Sequence, residues 1–182
     1  MNRLLIVLPL AALLLGGCGK DDPTDGLPPA TQVGANTGGC LLDGSRFVAK
    51  GTAGSLLSNP IAALSGGFQN NDKYSVMLRG ETPRGIAYVG LFVRAQAVGT
   101  YPLNQKTSIA GGTQNSLDCG WVSFSDSNEL YLTDPRHTGR LTITLANQNA
   151  GISAGTFEFT AVSDQDSTKT IAVTHGRFDL KQ

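Results

Sequence analysis

The chain has 182 residues, with 14 Lys and Arg balanced by 14 Asp and Glu for a formal charge of zero. Nothing in that balance draws the protein to a polyanion or an anionic surface, and nucleic acid is set aside as a partner. With 23 glycines, abundant Thr, Ser and Asn, and no sustained helical period, the composition predicts short strands joined by tight turns.

Residues 1–17 have the three parts of an export signal: Arg3, the apolar run Leu4 to Leu15, and small residues ahead of Cys18. The run is too short to span a bilayer, which takes about 20 apolar residues, so it predicts a signal peptide that is removed. What remains, about 165 residues, is one domain's worth and can bury most of its apolar surface. Leu15-Gly16-Gly17-Cys18 resembles the bacterial lipobox, whose cysteine is acylated, as with palmitate, and becomes the first residue after cleavage. Each methylene buried in the bilayer contributes about 0.8 kcal/mol, so several chains on Cys18 would hold the protein to a membrane. The alternative is an ordinary secretory signal with an incidental cysteine. Lys20-Asp21-Asp22 resembles the lysine-plus-two-acids signal that sends Bacteroidota-type lipoproteins to the outer face of the outer membrane; the alternative location is the periplasmic face. Residues 18–38, rich in Pro, Gly, Asp and Thr, read as a flexible tether, and residues 39–182 as the domain.

Within the domain, Asp43-Gly44 between two apolar runs predicts a tight hairpin. Residues 50 to 62 read as a loop, with Asn59-Pro60 initiating a turn. Leu64 to Gln69, Tyr74 to Arg79 and Ile86 to Arg94 are expected strands, the last apolar at both parities and therefore covered on both faces. Turns are expected at Asn70-Asn71-Asp72 and at Thr82 to Gly85, and a Gly-rich loop at Gly111-Gly112. Cys119 to Ser125 and Glu129 to Thr133 read as a hairpin turning at Asp126-Ser127-Asn128; with residue 125 opposite 129, Trp121 and Tyr131 share one face. Leu141 to Leu145 and Thr156 to Ala161 alternate strictly. The final strand is apolar at odd positions from Ile171 and at even ones from Phe178, and a bulge at His175-Gly176 would repair the slip. The whole predicts an all-β fold, a single antiparallel β-sandwich of roughly nine or ten strands, with a closed meander β-barrel as the alternative. Cys40 and Cys119, an even pair once Cys18 is acylated, predict a disulfide in an oxidising compartment, contributing about 4 kcal/mol; two separate buried thiols are the alternative.

Leu27-Pro28-Pro29-Ala30-Thr31, Gly39-Cys40-Leu41 with Asp43-Gly44 and Phe47, the run Ser153 to Ala161, and Gly176-Arg177-Phe178-Asp179 together resemble an uncharacterised domain family of Bacteroidota lipoproteins. The resemblance implies the lipoprotein address and a β-rich fold, and brings no established activity with it.

Gly151-Ile152-Ser153-Ala154-Gly155 fits the G-x-S-x-G pattern, with Asp164 or Asp166 and then His175 in the order of a hydrolase triad. That chemistry needs a strand before the serine and a helix after it, whereas here a strand follows directly. No catalytic residue is therefore assigned, and the serine hydrolase stands as an alternative. No metal site is expected, since His137 and His175 have no companion at ligand spacing, and Asp164 to Thr168, which could offer oxygens to calcium, reads instead as a polar hairpin loop. Asp134 to His137 reads as a turn at a strand end. No cofactor is implied. The remaining candidate is an aromatic face of Trp121 and Tyr131, joined by Tyr88 or Tyr101, on which a sugar could stack. The functional expectation is a non-catalytic surface lipoprotein that binds a glycan or an envelope protein, with a carbohydrate-binding module as the sharper alternative.

Overall fold

Alternating apolar and polar residues become strands along most of the computed structural model, which describes residues 24–50, 62–69, 72–107, 118–127 and 129–182. Residues 1–17, expected as a leader, Cys18, Lys20-Asp21-Asp22, Asn59-Pro60, Asn70-Asn71, Gly111-Gly112 and Asn128 lie outside the described residues. Among those described, eleven strands follow one another: β1 (Thr37–Leu42), β2 (Ser45–Val48), β3 (Leu64–Phe68), β4 (Lys73–Thr82), β5 (Gly85–Arg94), β6 (Gly99–Leu103), β7 (Cys119–Phe124), β8 (Leu130–Leu132), β9 (Gly139–Asn147), β10 (Ile152–Ser163) and β11 (Thr170–Lys181).

They form one antiparallel sheet in the order β2-β1-β11-β10-β8-β7-β5-β4-β3. The branch point is β10, which pairs with β11 along one edge and shares the other between β9, at Ile152 to Phe159, and β8, at Val162 and Ser163. β9 in turn carries β6. Inward residues of nearly every strand, among them Val76, Val89, Ile143, Phe157, Val173 and Phe178, meet in a single core. The two ends of the sheet close towards each other: the Lys50 amide, just past β2, donates to the Arg79 carbonyl of β4 at 3.1 Å, and a Cβ on Gly80 would fall 2.3 Å from the Val48 carbonyl oxygen. The all-β antiparallel expectation is thus met, with the two walls of the expected sandwich supplied by one sheet curled into a half-barrel.

Bulges make that curl, because an extra residue bends its strand and increases the twist. On β11 the register slips where Phe157 faces Gly176 and Phe159 faces Val173, and His175 takes up the slack in the left-handed region at φ 53°. This is the bulge that the parity change in the sequence requires. Gly176 beside it admits the Phe157 ring, which a Cβ there would approach to 2.4 Å.

Two expectations are corrected. Cys40 and Cys119 are free, buried thiols. Cys40 belongs to the inner core, whereas Cys119 lies on the outer face of β7 with Phe92, Trp121 and Leu132. β1 and β7 are four strands apart in the sheet order, and with one side chain turned inward and the other outward the Cβ vectors do not meet as a disulfide requires. The tether is also shorter than expected, since residues 24–36 lie against the sheet as a strap. Leu27 is buried over Gly39, and further along the buried carboxylate of Asp179 accepts hydrogen bonds from Thr31 Oγ1 (2.6 Å) and from the amides of Val33 (3.0 Å), Gly34 (2.7 Å) and Ala35 (3.2 Å).

Candidate functional site

The strict alternation of β9 and β10 fills the core with one side of each strand and leaves a polar row on the other. Leu141, Ile143, Phe157 and Phe159 point inward, so Arg140 and Thr142 on β9 and Thr156, Glu158 and Thr160 on β10 face outward. Pairing sets Thr142 opposite Thr156 and Arg140 opposite Glu158, and the latter two form an ion pair at 2.6 Å. On β11 the bulge brings the exposed His175 to the same face, and Arg177 lies opposite Thr156. The strap forms the far wall, where the Pro28 carbonyl accepts a 3.5 Å hydrogen bond from Arg177 Nη1.

The result is a groove in two parts. A cavity of about 290 Å³ lies among Ala30, Thr142, Thr156, His175 and Arg177. A second of about 480 Å³ is lined by Thr138, Thr160 and Thr174, and both touch Arg140 and Glu158. The charges in the groove are unequally engaged. Arg140 has Glu158, and Asp179, buried beside the groove, is spent on the strap, whereas Arg177 donates to carbonyl oxygens, that of Pro28 and, at 3.4 Å, that of His175. Among the described residues Arg177 has no carboxylate partner.

A third cavity, about 240 Å³, opens at the end of the barrel over Leu42, Phe47, Phe124 and Ile171. Its Arg84 is already committed, 3.9 Å above the Phe124 ring and 2.9 Å from Glu129. The groove on β9, β10 and β11 therefore has the more available chemistry.

The sequence-derived candidates fare differently. Trp121 and Tyr131 do not share a face. β7 and β8 pair with Trp121 opposite Leu132 and Val122 opposite Tyr131, one residue from the expected register, and such a slip turns every side chain of a strand over. Tyr131 lies in the inner core, 5 % exposed, edge-on to Phe124, and Trp121 is 8 % exposed on the outer face with its indole across Gly90. Tyr88 joins the Trp121 cluster, whereas the Tyr101 hydroxyl donates to the Ala97 carbonyl. The aromatic shelf for a sugar does not form.

Ser153 is 2 % exposed and accepts a 2.9 Å hydrogen bond from the Tyr74 hydroxyl inside the core. It faces Leu180 across the β10–β11 pair, some five residues along the strands from His175, roughly 16 Å at the strand rise. Asp164 and Asp166 lie beyond the far end of β10, so the triad is not assembled. Asp134 caps its own turn, its Oδ1 accepting from the amides of Arg136 (2.8 Å) and His137 (2.7 Å). Asp166 does the same for Thr168. Among the described residues no group of three or more His, Cys, Asp or Glu is placed to hold a metal. Of the residues weighed from sequence for catalysis, metal or sugar binding, His175 lies on the groove. Arg140 carries no reading in the sequence, and Glu158 and Arg177 enter only within the segments of the family resemblance, although opposite charges at matching positions of two alternating strands were a signal for the Arg140–Glu158 pair.

The model of a family described as a domain of unknown function (DUF6252) matches residues 66–179. That span runs from β3 to β11 and contains the whole groove except its strap wall. No curated protein matches the chain, and no solved structure does.

Proposed function

The chain belongs to the DUF6252 family, and from that premise we propose that it is a non-catalytic binding module, held to the outer membrane by lipid on Cys18, whose ligand lies in the groove on β9, β10 and β11. The observation that carries the reading is Arg177, a guanidinium in a concave polar surface with no acid to neutralise it among the described residues. A bulge beside it supports the same reading, because bulges recur where a strand must re-aim a side chain towards a ligand. The Leu-Gly-Gly-Cys motif and the Lys20-Asp21-Asp22 signal favour the membrane address and the cell surface. The strap joins the two proposals physically, since the segment leading from Cys18 to the domain supplies the Ala30 side of the groove.

A photoreactive amino acid at Thr156, in the groove, and at Thr170, outside it, tests the binding reading in living cells. Illumination is expected to give a covalent adduct at position 156 and none at 170. Equal labelling at both positions, or none at 156, removes the groove from consideration. The anchor is tested separately by metabolic labelling with an alkyne fatty acid, expected in the wild type and lost in Cys18→Ser.

A further inference from the structure

We infer, building on the binding reading above, that the groove selects an acidic saccharide, with Arg177 gripping a sugar carboxylate and the surrounding threonines meeting its hydroxyls. The first ground is charge. Of the acids nearest Arg177, Asp179 is consumed by four hydrogen bonds from the strap and Glu158 by Arg140. The hydrogen bonds Arg177 does make, at 3.4 and 3.5 Å, are at the weak limit of length. A guanidinium carries five donors in a planar fork that matches a carboxylate bidentately. This one is half-buried at the cavity wall, where a charge-assisted pair is screened less than on open surface.

The second ground is the rest of the lining. Thr142 and Thr156 lie within the first cavity, and Thr138, Thr160 and Thr174 continue the hydroxyl lining into the second. Each hydroxyl both donates and accepts, as a sugar hydroxyl does. Among the described residues the groove offers no tyrosine or tryptophan to stack on, and Phe157 and Phe159, which border it, turn their rings into the core. Recognition of a neutral sugar by ring stacking is thus not served here, and the charge must supply the selectivity. Glu158 sharpens the expectation. It repels an acid and competes for Arg140, so its neutralisation should help an acidic ligand and leave a neutral one indifferent.

The test uses the full-length lipoprotein in lipid nanodiscs, titrated with a panel of uronate and sialate oligosaccharides, each beside its carboxyl-reduced counterpart. At least one acidic member is expected to bind roughly tenfold or more tightly than its reduced form. Arg177→Gln should erase that preference, Arg177→Lys should keep part of it because the charge remains without the fork, and Glu158→Gln should raise affinity for the acid alone. Unchanged melting temperatures for the Arg177 variants separate loss of the site from loss of the fold. Equal binding of acidic and reduced forms, an acid preference that survives Arg177→Gln, or no binding by any member overturns the inference. Adduct formation at position 156 without any acid preference would overturn it while leaving the binding reading in place, and absence of adducts would remove both.

Discussion

Thr31 Oγ1 lies 2.6 Å from Asp179 Oδ2, a contact spanning 148 positions of sequence. It ties the strap to the last strand, and the neighbouring amides of Val33, Gly34 and Ala35 complete the cradle. Asp179 is 1 % exposed, so its carboxylate depends on the strap for its hydrogen bonds. Asp179→Ala should cost about 2–4 kcal/mol and Thr31→Ala about 1 kcal/mol in urea unfolding. Limited proteolysis of Asp179→Ala should cut within residues 24–36, which the wild type protects.

The same carboxylate makes stability depend on acid. Burial pulls the Asp179 carboxyl upward, but the Thr31 hydroxyl and the amides of Val33, Ala35 and Gly34 outweigh it and hold it below the usual carboxylate range. A depressed value means that the folded state binds the proton less readily than the unfolded chain does. The stabilisation is therefore complete above the unfolded value, about 3.9, and disappears as pH falls through the folded one. Asp179→Asn is expected to start less stable at neutral pH and to lose less on acidification. Parallel pH–stability curves for the two proteins would contradict this.

Tyr74 and Ser153 form a buried pair deep in the barrel, and a pair of this kind is asymmetric. Removing one partner strands the other, at about 1–3 kcal/mol, whereas removing both leaves nothing unsatisfied. Tyr74→Phe and Ser153→Ala should each destabilise, and the double variant should be more stable than the sum of the two losses predicts. A serine-directed fluorophosphonate is expected to leave Ser153 of the folded wild type unlabelled, because its hydroxyl is buried in the core against Tyr74.

The two thiols give a direct chemical readout. Burial pushes Cys119 up to about 11, a hydrogen bond from Thr107 offsetting only part of it, and burial raises Cys40 further. Reaction with a disulfide reagent needs the thiolate, so at pH 8 neither Cys40 nor Cys119 should react fast in the native protein, and both should in the denatured one. Mass spectrometry of a non-reduced digest should recover the Cys40 and Cys119 peptides unlinked. A linked pair would overturn the opposite-face placement of β1 and β7 side chains.

Much of the barrel was legible because its signals are local. The parity change between Ile171-Val173 and Phe178-Leu180 located the bulge at His175, Asp43-Gly44 marked the β1–β2 turn, and the alternation in Leu141 to Leu145 and Thr156 to Ala161 gave the inner faces of β9 and β10. What escaped was set by pairing between segments. Nothing in residues 118–133 alone chooses between two registers one residue apart, and that choice decided whether Tyr131 joined Trp121 or Phe124. The strap was hidden for a different reason. Apart from Leu27 it buries no large apolar side chain, and it is held mainly by main-chain donors converging on one distant aspartate, for which a Pro- and Gly-rich composition carries no sign. The groove needs the strap, β9, β10 and β11 together, so it became visible only when the topology was known.

His175 offers the sharpest test of the bulge itself. A left-handed backbone costs an L-residue roughly 1–2 kcal/mol, and the penalty is greatest for a β-branched side chain. Glycine has no such penalty but loses more entropy on folding, roughly 0.5–1 kcal/mol. His175→Gly should therefore match or slightly exceed the wild type in melting temperature, whereas His175→Val should fall below it by about 1 kcal/mol or more, although valine is the better strand former on a regular sheet. Both variants keep Arg177 and the groove threonines, so a loss of ligand in His175→Gly at unchanged stability would assign the imidazole to the ligand. If valine were tolerated as well as glycine, position 175 would not be left-handed in solution, and the shift that brings Phe157 over Gly176 and Arg177 to the groove would need another origin.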